Sequence, residues 1–166
     1  MVSLSNHNHL DTAGLRQAQA ERLGAEILAV SIWKWNYALF AHGYHRATTD
    51  IDLLVPATLE SGKRIKDALM ILPDRAAREL DPIWFEEGEN IRAADAFVVV
   101  LMLNACGETY ETLTQFAETV DLDGLQVRTI NLEGLLRTKQ TMRDKDVSDR
   151  IILERALKTY REHSKS

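Results

Sequence analysis

The sequence predicts an α/β fold, in which a mixed β-sheet is flanked by helices and further helices follow at the C-terminal end. Short runs of Ile, Leu and Val are bounded by Pro or Gly, and they alternate with segments whose apolar residues recur at helical spacing. The 166 residues are enough for one hydrophobic core. We expect a single domain over residues 11–163, after a flexible or disordered polar segment at residues 1–10.

The composition is that of a globular protein, with 45% hydrophobic and 27% charged residues. A net charge of -5 argues against a protein whose main function is to bind nucleic acid. No run approaches the roughly 18 apolar residues of a membrane span, and the polar start lacks the apolar core of a signal peptide. We therefore expect a cytoplasmic location and no membrane partner. The one cysteine, Cys106, is expected to be a small core residue.

The first half of the chain alternates between helical and strand patterns. Residues 11–28 have the spacing of an amphipathic helix, and a short apolar strand follows it. Residues 33–43 indicate a short helix that Gly43 ends. Residues 50–56 indicate a strand stopped by proline, and residues 58–80 are mostly helical by pattern with an interruption at a second proline.

The next segments predict more of the sheet. Residues 91–103 are rich in valine and indicate either one strand or a tight hairpin. Residues 109–120 have the pattern of a helix. In residues 120–130, Asp123 and Gly124 stand between two apolar runs, which is typical of a tight turn joining two strands.

Two helices are predicted to close the chain, over residues 131–141 and 146–163. The second has apolar residues at helical spacing, which predict its buried side. These residues are Ile151, Ile152, Ala156, Leu157 and Tyr160.

Two acids, Asp50 and Asp52, stand at the start of the strand at residues 50–56. Successive side chains of a strand alternate between faces, so the two carboxylates share one face, with Cα atoms about 6.6 Å apart. Like charges so placed repel unless something positive lies between them. Mg²⁺ is suited to that place, since it binds one or two carboxylates together with phosphate oxygens.

A structural explanation of the pair is equally supported by the residues alone. Asp50 would cap the turn after Thr48 and Thr49. Asp52 would pair with Arg46 on an edge strand.

Residues 41–56, AHGYHRATTDIDLLVP, resemble the active-site segment of the polymerase-beta-like nucleotidyltransferase superfamily. More narrowly, they resemble small bacterial nucleotidyltransferase-like proteins related to the toxins of abortive-infection systems. Residues 91–111 and 122–153 resemble the following segments of that family, in the same order. The resemblance covers roughly residues 24–155.

The resemblance implies a nucleotidyltransferase-like fold and a Mg²⁺-dependent reaction at a two-metal site. A nucleotidyl group would pass from a nucleoside triphosphate (NTP) to a hydroxyl of an acceptor, which could be an RNA end, a protein or a small molecule. Asp50 and Asp52 would be catalytic metal ligands, and Lys139 a further catalytic residue. The implied nucleotide contacts are Arg46, Thr48, Thr49, Asn36 and Arg143. A cognate antitoxin or toxin partner is also implied.

The basic residues near Lys139 have a second interpretation. Lys139, Arg143 and Lys145 would form a solvated face. Asp146 and Asp149 would then be helix caps or ion-pair partners.

The sequence departs from the family pattern at two places. The family has a glycine pair or Gly-Ser where Trp35 and Asn36 stand, so that backbone N–H groups can approach the triphosphate. It has a third acid where Val100 stands. Asp95 is no simple substitute, because on an extended strand it faces the opposite side from Val100. A hairpin over residues 91–103 would weaken this objection.

Three functions therefore remain open: an active nucleotidyltransferase with an incomplete site, a pseudoenzyme that retains nucleotide or metal binding, and a protein-binding module. The third would use exposed aromatic residues such as Trp33, Trp35 or Trp84, although tryptophan is more often buried.

Overall fold

The computed structural model describes residues 19, 21–24, 27, 31–34, 50–122 and 124–166. Six strands of this part form one sheet with the order β3-β4-β2-β1-β6-β5. The strands are β1 (Ile32–Trp33), β2 (Ile51–Leu54), β3 (Ile91–Ala94), β4 (Val98–Met102), β5 (Ala117–Leu122) and β6 (Leu125–Ile130).

The sheet is mixed. Strands β2 and β4 are parallel, as are β1 and β6, whereas the pairs β1-β2, β3-β4 and β5-β6 are antiparallel. The predicted α/β class with a mixed sheet is confirmed at this level.

The helices start where the sequence provides a side-chain cap or a turn. They are α1 (Leu59–Leu69), α2 (Trp84–Glu87), α3 (Tyr110–Leu113), α4 (Leu132–Arg137) and α5 (Asp144–His163). Short 3₁₀ turns occupy Ala76–Glu79 and Thr114–Phe116, and residues 21–24 are also helical. The Thr58 hydroxyl accepts from the N–H of Ser61 at the start of α1, and Asn131 caps α4 in the same way. Of the helices described, none has the length and apolar character that crossing a bilayer requires.

The central strand β2 carries core residues on both faces, so the sheet lies between two apolar layers. Ile51 and Leu53 pack in one cluster with residues of α1 and α2, including Phe85. Leu54 points the other way and packs in a second cluster with residues of α4 and α5. Asp52 shares the face of Leu54, and it therefore lies on the α4–α5 side of the sheet.

The sheet contains two hairpins, one predicted from the sequence and the other given there as one of two interpretations. Residues 91–103 form the antiparallel hairpin of β3 and β4, which confirms the second of the two interpretations. Strands β5 and β6 form the other hairpin, whose turn contains Gly124 at a φ of 89°. Asp123 lies outside the described residues.

The helix predicted over residues 109–120 is wrong beyond Phe116. In the structure, this segment forms α3 and a 3₁₀ turn, and β5 then begins at Ala117. All six residues of β5 pair with β6, so the strand pairing overrides a locally helical pattern.

The predicted buried side of α5 is also partly wrong. Ala156 is buried, but Ile151 and Tyr160 are 48% and 56% exposed. The buried face runs through Asp146, Leu153 and Ala156, at spacings of seven and three residues. Apolar spacing alone does not identify this face, because the buried Asp146 lies on it where an apolar residue would be expected.

Cys106 is exposed rather than part of the core. It lies in the turn that a bridge between Ala105 and Glu108 closes, and its φ is 58°. Trp33 is 1% exposed, which confirms that it packs in the core and excludes it as an exposed binding residue. Trp84 is 40% exposed.

The close packing of α4 on the second apolar cluster depends on Gly134. A Cβ added there would lie 2.6 Å from both Cγ1 of Ile130 and Cβ of Phe116. We expect Gly134→Ala to lower the free energy of unfolding by roughly 1–3 kcal/mol, because the strand and turn beneath must shift. Urea denaturation measures this change. Glu133→Ala, at an exposed position of the same helix, is the control, and equal stability of the two variants would contradict this packing.

Candidate functional site

Asp52 lies in a row of four side chains that crosses the sheet. On one side it is in register with Val100 of β4, which is itself in register with Arg92 of β3. On the other side, the N–H of Lys34 donates to the carbonyl oxygen of Asp52 at 2.9 Å. Residues directly opposite on neighbouring strands share a face, so Arg92, Val100, Asp52 and Lys34 lie side by side.

Val100 is therefore the direct neighbour of Asp52, at the place where the resemblance implies a third acid. Its side chain is half-buried and apolar, and it can neither bind a metal ion nor accept a proton.

Asp95 does not replace this acid. It lies in the turn between β3 and β4, and its carboxylate accepts from the backbone N–H groups of Asp74, Ala76 and Ala96 at 2.8–2.9 Å. Partial burial alone raises the pKa of Asp95, but the three hydrogen bonds outweigh it and lower the pKa. Asp95 holds the hairpin against the 3₁₀ turn on the face opposite Asp52, so its role is structural.

A second polar group centres on Asp146, whose side chain is fully buried in the first turn of α5. Its carboxylate accepts hydrogen bonds from the Thr141 hydroxyl and from the Arg143 guanidinium, the latter at 3.1 and 2.8 Å. The ammonium of Lys139 lies 3.5 Å away. A buried carboxylate with these partners stays ionised, and it orients the cations around it.

The pKa of Asp146 shows the balance of these effects. Burial raises it, but the hydrogen bonds from Thr141 and Arg143 and the charges of Lys139 and Arg143 outweigh burial and lower the pKa to about 2.

The loop between α4 and α5 is held to this group by further contacts. Lys139 pairs with Asp149 at 2.9 Å as well as with Asp146, and its side chain is 16% exposed. The guanidinium of Arg150 donates to the carbonyl oxygens of Lys139 and Thr141, both at 2.6 Å. Lys139 is therefore a fixed cation with two partners, and Asp146 and Asp149 are ion-pair partners, as the second interpretation expected. The same interpretation is wrong in placing Lys139 on a solvated face.

Lys34 connects the row across the sheet with the group around Asp146. Burial is the main reason that its pKa falls to about 8, and the like charge of Lys139 adds to this effect. Asp52 and Asp146 raise the pKa, and Arg143 lowers it further. Each of the four residues Asp52, Lys139, Arg143 and Asp146 is thus close enough to Lys34 to influence its charge. We call these four residues and Lys34 the polar site.

The described carboxylates offer fewer donors than the two-metal site that the resemblance implies. Within the ranges that the structure describes, no three His, Cys, Asp or Glu side chains are grouped to hold a metal ion. Asp50, directly before β2, and Asp52 remain as two carboxylates, which suffice for one Mg²⁺ when a substrate supplies further oxygens. With Val100 where the resemblance implies a third acid, the residues that the structure describes supply no carboxylate at that position for a second ion.

Of the residues predicted from the sequence, Lys139 and Arg143 share the Asp146 carboxylate as a partner. Asp52 lies opposite Lys34, whose pKa is influenced by all three. Lys145 is exposed on α5. The predicted nucleotide contacts Arg46, Thr48, Thr49 and Asn36, together with Trp35, lie outside the described residues.

Sequence reasoning missed Lys34 and underestimated Asp146. The signal for Lys34 was a lysine directly after the apolar residues Ile32 and Trp33, where a strand ends at the edge of the core. Asp146 lies seven and ten residues before Leu153 and Ala156, so helical spacing places it on their buried face.

Comparisons with protein-family models, curated proteins and solved structures found no match.

The Asp146 carboxylate is expected to stabilise the fold. We expect Asp146→Asn to lower the free energy of unfolding by about 3 kcal/mol, because Lys139 and Arg143 lose their buried counter-charge. Its depressed pKa contributes stability above the ordinary value of 3.8, and this contribution is lost as the pH falls through about 2. Urea denaturation from pH 7 to pH 2 measures both effects. Asp144→Asn, at an exposed position of the same helical turn, is the control. The same loss in both variants would exclude a special role for Asp146.

Lys34 is expected to destabilise the fold. Its lowered pKa means that the folded state disfavours the ammonium form, a penalty that is complete below about pH 8 and is relieved as the pH rises towards 10.5. We expect Lys34→Met to raise the free energy of unfolding at pH 7 by roughly 1–3 kcal/mol, and the gain to shrink by pH 10. Paired urea titrations at the two pH values, with Lys145→Met as the exposed control, measure this. A variant less stable than the parent at pH 7 would contradict the assigned environment.

Proposed function

We propose that the protein binds the phosphate groups of a nucleoside triphosphate at the polar site, as a nucleotidyltransferase-like protein with an incomplete metal site. The observation that carries this proposal is that Asp52 and Lys34 lie opposite each other on the α4–α5 side of the sheet. Lys139 and Arg143 are near enough to act on the charge of Lys34. Carboxylates that hold Mg²⁺ and cations that hold phosphate oxygens are the two requirements of phosphoryl chemistry. The resemblance of residues 41–56 to the nucleotidyltransferase superfamily supports the same assignment.

In the proposed site, Asp50 and Asp52 would hold one Mg²⁺, which would supply positive charge against the phosphates. Lys139 is fixed by Asp146 and Asp149, so it faces the ligand with little loss of side-chain entropy. Arg143 is 73% exposed, and it reaches the ligand from the start of α5.

The reaction that this site supports is the attack of an acceptor hydroxyl on the α-phosphorus of the triphosphate. An oxygen–phosphorus bond forms, the bond from the α-phosphorus to the bridging oxygen breaks, and pyrophosphate leaves. Because Val100 cannot accept the hydroxyl proton, that proton passes to water. Transfer without a positioned base is slower by roughly 10²–10⁴-fold.

A second function, binding of a nucleotide without transfer, is favoured by the same valine. A pseudoenzyme of this kind would keep the nucleotide affinity of the site and release no pyrophosphate with any acceptor. The toxin or antitoxin partner that the resemblance implies is compatible with either function.

Calorimetric titration tests the proposed nucleotide binding. We expect one of ATP, GTP, CTP or UTP to bind in the presence of Mg²⁺, and Asp52→Asn to weaken that binding at least tenfold, because a metal ligand is lost. Asp67→Asn, an exposed position on α1, is the control. If metal-dependent binding were unchanged in Asp52→Asn, Asp52 would be excluded as a metal ligand and the nucleotide would have to bind elsewhere. Pyrophosphate release, measured with the unaltered protein, then separates transfer from binding alone.

A further inference from the structure

Lys34 is a cation directly beside Asp52 that the nucleotidyltransferase motifs quoted above do not include. The antiparallel pairs Ile32–Leu54 and Trp33–Leu53 continue to Lys34 and Asp52, whose backbone atoms are joined by a hydrogen bond of 2.9 Å. Side chains of directly opposed residues have Cβ atoms about 4.5–5.5 Å apart on the same face. Lys34 and Val100 therefore flank Asp52 on its two sides.

The ammonium of Lys34 differs from the other cations of the polar site in its partners. Lys139 lies between two carboxylates, and Arg143 donates to Asp146 at 2.8 Å. Among residues 31–34, 50–122 and 124–166, no carboxylate oxygen forms an ion pair with Lys34 within 4 Å. It is half-buried, and Lys139 and Arg143 are close enough to repel it. A positive charge in this position is best satisfied by an anion that enters from outside.

We propose that Lys34 binds a phosphate group of the nucleotide directly, and that its positive charge neutralises the phosphates where the family pattern would use a second metal ion. The inference rests on the proposed function for the identity of the ligand. It goes beyond that function in predicting that part of the phosphate affinity needs no divalent cation.

Two features of the site favour a polyphosphate over a smaller anion. The three cations come from different elements, since Lys34 follows β1, Lys139 follows α4 and Arg143 precedes α5. One anion that contacts all three must carry several oxygens and more than one negative charge, as a diphosphate or triphosphate does. On the other side of Asp52, Val100 adds no negative charge that would repel it.

The test is the binding of inorganic pyrophosphate and of ATP in the presence of EDTA, measured by calorimetry on the full chain. We expect both ligands to bind without metal, and Lys34→Gln to weaken the binding about tenfold, because one charge-assisted hydrogen bond is lost. Lys145→Gln removes the same charge from an exposed position of α5, and it should change the affinity less than twofold.

Two further variants distinguish a phosphate contact from a structural effect. Lys34→Arg keeps the charge and should keep most of the affinity. Val100→Asp adds a carboxylate beside Asp52, so it should weaken pyrophosphate binding in EDTA and increase the dependence of ATP binding on Mg²⁺. Far-UV circular dichroism confirms that each variant is folded.

The outcomes separate this inference from the proposed function. If ATP binds with Mg²⁺ through Asp52, but Lys34→Gln and Lys145→Gln bind pyrophosphate equally in EDTA, the inference is overturned and the function stands. If pyrophosphate binding in EDTA depends on Lys34 while Asp52→Asn leaves ATP binding with Mg²⁺ unchanged, the phosphate contact stands and the metal site does not. If neither ligand binds in EDTA, the inference is overturned.

Discussion

The polar site depends on the ionised carboxylate of Asp146 and on the hydrogen bonds and ion pairs that surround it. The carboxylate is fully buried, and it can remain charged only because Thr141, Arg143 and Lys139 surround it. These partners belong to the loop before α5, so the same contacts that keep the carboxylate ionised also determine where the loop lies. Asp146 belongs to the first turn of α5, where backbone N–H groups favour negative charge. Helix, loop and cations are therefore positioned together.

The sheet positions the rest of the polar site, because successive side chains of β2 point to opposite faces. Ile51 and Leu53 belong to one core, Leu54 to the second, and Asp52 lies at the edge of the second core. This arrangement places Asp52 on the α4–α5 side of the sheet, the side on which Asp146 holds the loop. Lys34 is brought to the same place by the pairing of β1 with β2. Two parts of the chain that are distant in sequence thus each bring acidic and basic side chains to the site.

The distribution of charge along the row across the sheet bears on function. Lys34 lies on one side of Asp52, and Val100 lies on the other, followed by Arg92 at the edge. A site built only for stability would gain little from a half-buried lysine whose pKa is lowered by burial and by its neighbours. Destabilising charge at a polar cleft is a recurrent property of functional sites. The lysine is explained if the site receives an anion.

The sequence by itself determined the fold class, the strand β2 with Asp52 in it and Asp50 directly before it, and the hairpin at Gly124. These features follow from local periodicity and turn chemistry, which need no knowledge of distant residues. The alternation of β2 also placed Asp50 and Asp52 away from Ile51 and Leu53.

Only the tertiary structure decided the rest. It converted Ala117–Leu122 from a predicted helix to a strand, since pairing with β6 outweighs local preference. It chose the hairpin over the single strand at residues 91–103, and it placed Val100 beside Asp52 and Asp95 on the opposite face. It also brought Lys34 to Lys139 across more than one hundred residues of chain. Strand register and the burial of a charge depend on partners far apart in sequence, and periodicity along one segment carries no information about them.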